Sequence, residues 1–218
     1  LGFLKLLHGT RGRREADSHG YKYRDYPPYE VIENKYISSA EMLEIKDIEE
    51  ALDRTLNSGR FTSTLKYLEN YFAEPFYLYK GFAEFLKSRG RLYQPIAAAK
   101  LFEYLRNYAL QIDGINKLEL DSFIALDYAC SIKNTVLPEF LKDSDVKALD
   151  VKRLLEKIPD FGWKKEYRKR FMVLEGRFPT KMEGKITAVE NRIIVDTANI
   201  DPVTKRADIR PYGIFTQD

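Results

Sequence analysis

The chain is short of the residues from which metal and redox centres are built. Its 218 residues include one cysteine, Cys130, and two histidines, His8 and His19, set in separate stretches. A single thiol excludes an internal disulfide framework and cannot hold an iron–sulfur cluster, which takes several thiolates. One Cys and two His without a ligand spacing give no closed zinc site. Cys130 lies in the apolar run from Ile124 to Ile132 and reads as a buried thiol, not a nucleophile. No run approaches the roughly 20 apolar residues that span a bilayer. Leu1 to Leu7 is apolar but is followed by Arg11, Arg13 and Arg14 and not by a small-residue cleavage site. It therefore does not read as a signal peptide, and the chain is expected to be cytoplasmic. A Gly-rich phosphate loop, a Gly-x-Ser-x-Gly elbow and a His-Glu-x-x-His helix are missing as well. No catalytic residue and no metal ligand is assigned.

What is present describes an ordinary globular chain. Apolar residues make up 44% and charged residues 32%, which excludes a disordered polymer. The net charge of +3 is too small to argue for a nucleic-acid partner by itself. Tyr and Phe, at 15 and 13, far outnumber the single Trp163, and that many rings need burial, a ligand or a partner surface.

Along the chain, Leu1–Leu7 reads as a buried strand. Gly9-Thr10 turns it, Thr10 N-caps a short helix reaching Ser18 or His19, and Gly20 suits the position after its end. A strand with two open edges must find a partner, so residues 1–20 read as a strand–helix remnant at the end of a longer polypeptide, as does a chain that starts on Leu1. Residues 21–37 form a connector rich in Tyr and Pro, extended because Pro27-Pro28 lacks backbone donors. Residues 38–170 read as a helical domain. Ser38 caps the first helix with Glu41 three residues on. Later helices carry Leu65, Leu68 and Phe72, then Pro75 to Gly90, then Pro95 to Tyr108. Leu118–Lys133, apolar round most of its circumference, is expected at the centre. Two short helical segments are predicted at Val146–Ile158 and Trp163–Lys169. Residues 171–218 form a small antiparallel β unit, with Phe171–Leu174 as a strand and a hairpin that turns at Glu190-Asn191. Ala207–Arg210 and Gly213–Phe215 add strand-like stretches. The fold class is α+β, mainly a helical bundle with a strand–helix remnant at the start and a β unit at the end.

Two groups of residues bear on function. Tyr23, Tyr26 and Tyr29 in the connector either pack as covers, the simpler reading, or face a ligand. Trp163, Lys164, Lys165, Arg168, Lys169 and Arg170 interleave cations with rings, a pattern that grips phosphates and stacks on bases. The plainer reading is a solvated helix end. Asp127, flanked by Leu126 and Tyr128, reads as a satisfied or surface carboxylate.

The run Leu1-Gly-Phe-Leu-Lys-Leu-Leu-His-Gly-Thr10, with Arg13-Arg14-Glu15-Ala16 and Gly20, resembles the end of the core barrel of radical S-adenosylmethionine enzymes, which often reads Leu-Leu-Pro-Gly-Thr-Pro. Here His8 and Arg11 stand in place of the prolines. Tyr26-Pro27-Pro28-Tyr29-Glu30-Val31 and Asn57-Ser58-Gly59-Arg60-Phe61 resemble an uncharacterised C-terminal domain that follows cobalamin-binding and radical modules in a group of bacterial proteins. The resemblance implies a larger protein holding a [4Fe–4S] cluster, S-adenosylmethionine and often cobalamin in upstream modules of the same polypeptide. None of those ligands is in this chain. It places Lys5, Gly9 and Thr10 near the S-adenosylmethionine or substrate site, with Tyr23, Tyr26 and Tyr29 next to it. An RNA-binding accessory module and a helical interaction scaffold remain the alternatives.

Overall fold

Helix α6, Lys117–Ser131, shows why this chain folds round a buried helix. Asn116 caps it by accepting from the Glu119 N–H at 3.2 Å, and every residue from Leu120 to Cys130 is buried. A helix apolar on all sides can only be a core element. The computed structural model describes residues 2–132, 135–155, 167–182, 185–204 and 206–211. It bears out the α+β class, with helices throughout the first three quarters and a four-stranded antiparallel sheet at the end. The chain divides into two compact units, Leu1–Asp53 with Tyr79–Tyr93, and Arg54–Leu78 with Gln94–Asp218.

In the second unit, α3 (Thr62–Leu68), α5 (Ala98–Ala109) and the sheet surround α6. Tyr67 stacks on Phe123 with centroids 4.9 Å apart, and Phe102 lies 4.3 Å from Phe61 and 5.4 Å from Tyr128. The sheet runs in the order β3 (Lys147–Leu149), β4 (Phe171–Met182), β5 (Lys185–Ile200), β6 (Ala207–Pro211). Side chains alternate across a strand. Phe171, Val173 and Ile194 therefore pack on one face with Leu149, Val151, Leu154 and Tyr167, drawn from β3, from α7 (Val151–Leu155) and from α8 (Tyr167–Arg170). Gly176 and Phe178 face the other way, toward α6. Both faces are covered, which explains the unbroken apolar run from Phe171 to Leu174.

The first unit holds α1 (Arg11–Arg14), a two-stranded ribbon of β1 (Lys22–Tyr23) and β2 (Val31–Glu33), α2 (Ser39–Arg54) and most of α4 (Pro75–Ser88). Ser38 and Glu41 form the expected capping box, the Glu41 carboxylate accepting from the Ser38 N–H at 2.8 Å. Hydrogen bonds to the Ser38 backbone and side chain hold the Glu41 carboxyl below its usual range.

Four expectations change. The hairpin does not turn at Glu190-Asn191; those residues sit within β5 opposite Arg177 and Gly176, and Met182 pairs with Lys185. The ladder with β4 continues unbroken through Asn191, because a polar pair is accommodated within a strand whose neighbour pairs along its whole length. Val146 precedes a strand, because residues 147–149 find the open edge of β4 and pairing overrides their local helical pattern. The connector is not merely extended, since it folds back as the β1–β2 ribbon. The expected buried strand at Leu1–Leu7 is not found: among its described residues Leu6 alone is buried, while Leu4 and Leu7 are 51% and 50% exposed. Gly213–Phe215 lies outside the described residues.

Gly176 marks the tightest contact of sheet and helix. A Cβ there would sit 2.8 Å from Ser122 Oγ. That hydroxyl is itself fixed, donating to Leu118 O at 2.8 Å and accepting from Arg177 N at 2.9 Å. Gly176→Ala should cost about 1–3 kcal/mol in urea unfolding, as overpacking does. In a Ser122→Ala background the same change should cost much less; an equal cost in both backgrounds would mean that the Ser122 contact is not what requires glycine.

Candidate functional site

The ribbon is where the structure gathers the predicted residues. Thr10 caps α1 as expected, its Oγ1 accepting from Arg13 N at 3.4 Å and donating to Leu7 O at 2.7 Å. Gly9 takes a φ of 77°, open to glycine at no steric cost, and its carbonyl accepts from Arg14 at 2.7 Å. Gly20 ends the following 3₁₀ turn at φ 63°. The apolar segment after Gly2 does find a partner. Leu6 N donates to Tyr29 O at 2.8 Å and Val31 N to Leu4 O at 2.9 Å, with Lys5 opposite Glu30. So residues 4–6 form a third rung beside β2. Among the described residues no backbone group bonds the outer edge at Phe3 and Lys5.

Alternation then divides the predicted residues between two faces. Leu6 and Val31 pack with Ala16, Tyr21 and Tyr23 on the α1 side. Lys5 falls on the other side with Glu30, which is ion-paired to Lys46, while Lys46 also lies over the Phe3 ring. Tyr23 and Tyr29 come together because Arg13 lies between them, its guanidinium 5.0 and 5.1 Å from the two ring centroids. Its Nη1 donates to Leu6 O at 3.0 Å. His8 meets Tyr29 edge-on at 4.9 Å. Tyr29 holds a φ of 59°, which a residue with a large side chain adopts at a cost of roughly 1–2 kcal/mol. Tyr26 stands apart at the ribbon tip, 61% exposed, with Arg24 over its ring. Arg13 and His8 are members of this group that the sequence did not single out; an arginine one turn after a Thr cap was the only signal, and it is a weak one.

The basic cluster is described only in part. Trp163, Lys164 and Lys165 lie outside the described residues, Arg168 falls in α8, and Lys169 is exposed. Arg170 is engaged within the sheet, its Nε and Nη2 donating to Asp196 at 2.8 and 2.6 Å. Burial pushes the Asp196 carboxyl up, but Arg170 and the Ala198 and Asn199 N–H groups outweigh it and hold the carboxyl below its usual range.

In two groups that resemble catalytic ones, a thiol, an ammonium and a phenol are held in their protonated forms. Burial raises the Cys130 thiol to about 12, so it is protonated at neutral pH, although it lines a cavity of about 220 Å³ with Ile132, Thr197, Ile200 and Ala207. Asp47 accepts from Lys87 at 2.5 Å and from the Tyr93 hydroxyl at 2.6 Å. Its hydrogen bond favours the protonated form of Lys87, and burial with the Asp47 bond keeps Tyr93 neutral.

Asp127 is fully buried and satisfied. Its carboxylate accepts from Ser63 N at 3.1 Å and Thr64 N at 2.7 Å, and from Arg206 Nη2 at 2.7 Å. Arg206 also donates to Gly59 O and Arg60 O at 3.3 and 3.1 Å. Breaking a buried pair costs about 3–5 kcal/mol. Asp127→Asn should lower unfolding free energy by about that amount, and Arg206→Met similarly, while the double variant should lose far less than the sum. Strict additivity in urea unfolding would mean that the two residues act separately.

The chain belongs to a family described as protein of unknown function (DUF4080), which it matches over residues 17–190. No match was found among curated proteins or among solved structures. Among the described residues no helix is long and apolar enough to cross a membrane.

Proposed function

We propose that this member of the DUF4080 family is the accessory, capping region of a larger radical S-adenosylmethionine iron–sulfur enzyme, of the kind that also binds cobalamin. The observation that carries the reading is the pairing of residues 4–6. The segment that resembles a barrel strand is bonded to the ribbon on one edge, and its other edge, Phe3 and Lys5, meets no backbone partner among the described residues. That edge is where a neighbouring barrel strand would add. The family match begins at Asp17, so residues 1–16 fall outside it, as part of an adjoining module would.

The chain's own residues do not fit the cluster. A [4Fe–4S] centre takes thiolates, and Cys130 is one buried thiol held protonated. The cluster, S-adenosylmethionine and cobalamin belong, on this reading, to upstream modules of the same polypeptide. What this chain supplies is cover. The ribbon, pinned to the barrel-like segment by the Leu6–Tyr29 and Val31–Leu4 bonds, lies beside that segment's end and would exclude water from a reactive centre. Gly9 and Thr10 shape the turn at its mouth. The RNA-binding alternative has less support, since Arg170 is engaged with Asp196.

Loaded with iron and sulfide, reduced and free of oxygen, the intact protein should release 5′-deoxyadenosine from S-adenosylmethionine. A version ending just before Tyr21 should keep its iron and lose turnover of the substrate. Undiminished turnover by that version would end the capping role, and no 5′-deoxyadenosine from either would end the radical reading.

A further inference from the structure

Among the described residues Arg13 is a cation without an anion. Of the carboxylates on neighbouring segments, Glu15 pairs with Arg11 at 2.7 Å, Glu33 with Lys22 at 2.7 Å, and Glu30, on the other face of the ribbon, with Lys46, while Asp17, four residues on, makes no ion pair with Arg13. Its neighbour Arg14 is used on the Gly9 carbonyl. Arg13 itself is half-buried, over the rings of Tyr23 and Tyr29 and with one nitrogen, Nη1, on a backbone carbonyl. Among the described residues Nε and Nη2 meet no acceptor.

Those two nitrogens form the planar edge that grips an oxyanion with two parallel bonds. The same protein uses that edge elsewhere. Arg106 donates through Nε and Nη2 to Asp121 at 2.5 and 2.9 Å, and Arg170 does so to Asp196. Only in Arg13 is the equivalent edge fixed in direction and unanswered among the three. The cation–ring contacts with Tyr23 and Tyr29 and the bond to Leu6 O restrict the guanidinium, so less side-chain entropy remains to be lost on binding. Tyr29 sits in a left-handed conformation, and His8 lies edge-on against its ring.

We propose that Arg13 is the receptor for the oxyanion of a small ligand, a carboxylate or a phosphate group, held by Nε and Nη2 between Tyr23 and Tyr29. The assignment needs only residues of this chain and stands whether or not the chain serves a radical enzyme. A purely structural Arg13, tying α1 to the ribbon, has no use for that edge.

The Nε–Hε resonances of the intact protein discriminate. Inorganic phosphate and acetate are titrated separately at constant ionic strength, balanced with chloride. The Arg13 resonance should shift saturably, with a midpoint at least tenfold below any change at exposed Arg11 and Arg14. Tighter phosphate marks a phosphate ester as the ligand group, tighter acetate a carboxylate. In Arg13→Lys the thermal stabilisation given by the preferred anion should disappear; the wild-type titration decides alone if that variant does not fold. A linear shift, or one equal to those of Arg11 and Arg14, means an adventitious ion only and overturns the proposal.

Discussion

A carboxylate in the middle of an apolar helix has to be answered, and the way Asp127 is answered organises the second unit. Removing its charge from water is costly by several kcal/mol unless hydrogen bonds and a counter-charge replace the solvent. Two backbone N–H groups at the start of α3 and the guanidinium of Arg206 supply them. Those N–H groups are among the orphans of a helix end, and Phe61, in the capping position, has no oxygen to offer them. Asp127 thus acts as the cap of a helix more than 60 residues away in sequence. Arg206 carries the constraint to the turn at Gly59 and Arg60 and anchors the segment between β5 and β6. Helix, turn and sheet are fixed by one ion pair that solvent scarcely reaches.

The ribbon unit is held differently, by backbone pairing and by stacking on a cation. At the ribbon itself the buried cluster is small, Leu6, Ala16 and Val31 beside half-buried tyrosines, while the rest of the unit buries Ile48, Ala51, Phe82, Phe85 and Leu86 on α2 and α4. In such a setting, a guanidinium between two rings contributes packing as much as charge. The same arrangement that stiffens the ribbon presents an unanswered donor edge, so stability and binding are read from one group of atoms.

Much of the helical part was legible because its signals are local. Ser38 with Glu41, Thr10 before α1, Pro75 at the start of α4, and the left-handed Gly20 and Gly90 lie where short-range rules put them. The encircling apolar pattern of α6 foretold its central place. What depends on distant partners was not legible. Residues 147–149 became a strand because β4 offered an edge, and Leu6 was buried by α1 and β2 while Leu4 was not. At the site, Tyr23 and Tyr29 were named, but Lys5 lies on the opposite face of its strand, and Arg13, which joins the two rings, carries no motif. The Asp127–Arg206 pair spans 79 residues, beyond any local pattern.

The reading of this chain as the cover of a radical enzyme turns on what the intact polypeptide holds. The most direct test is the iron, sulfide and cobalamin content, with an absorption spectrum, of the complete gene product purified without oxygen. The account predicts about four irons and four sulfides per chain, as one cubane cluster requires, together with bound cobalamin. Protein that is folded, free of iron and free of cobalamin would contradict it.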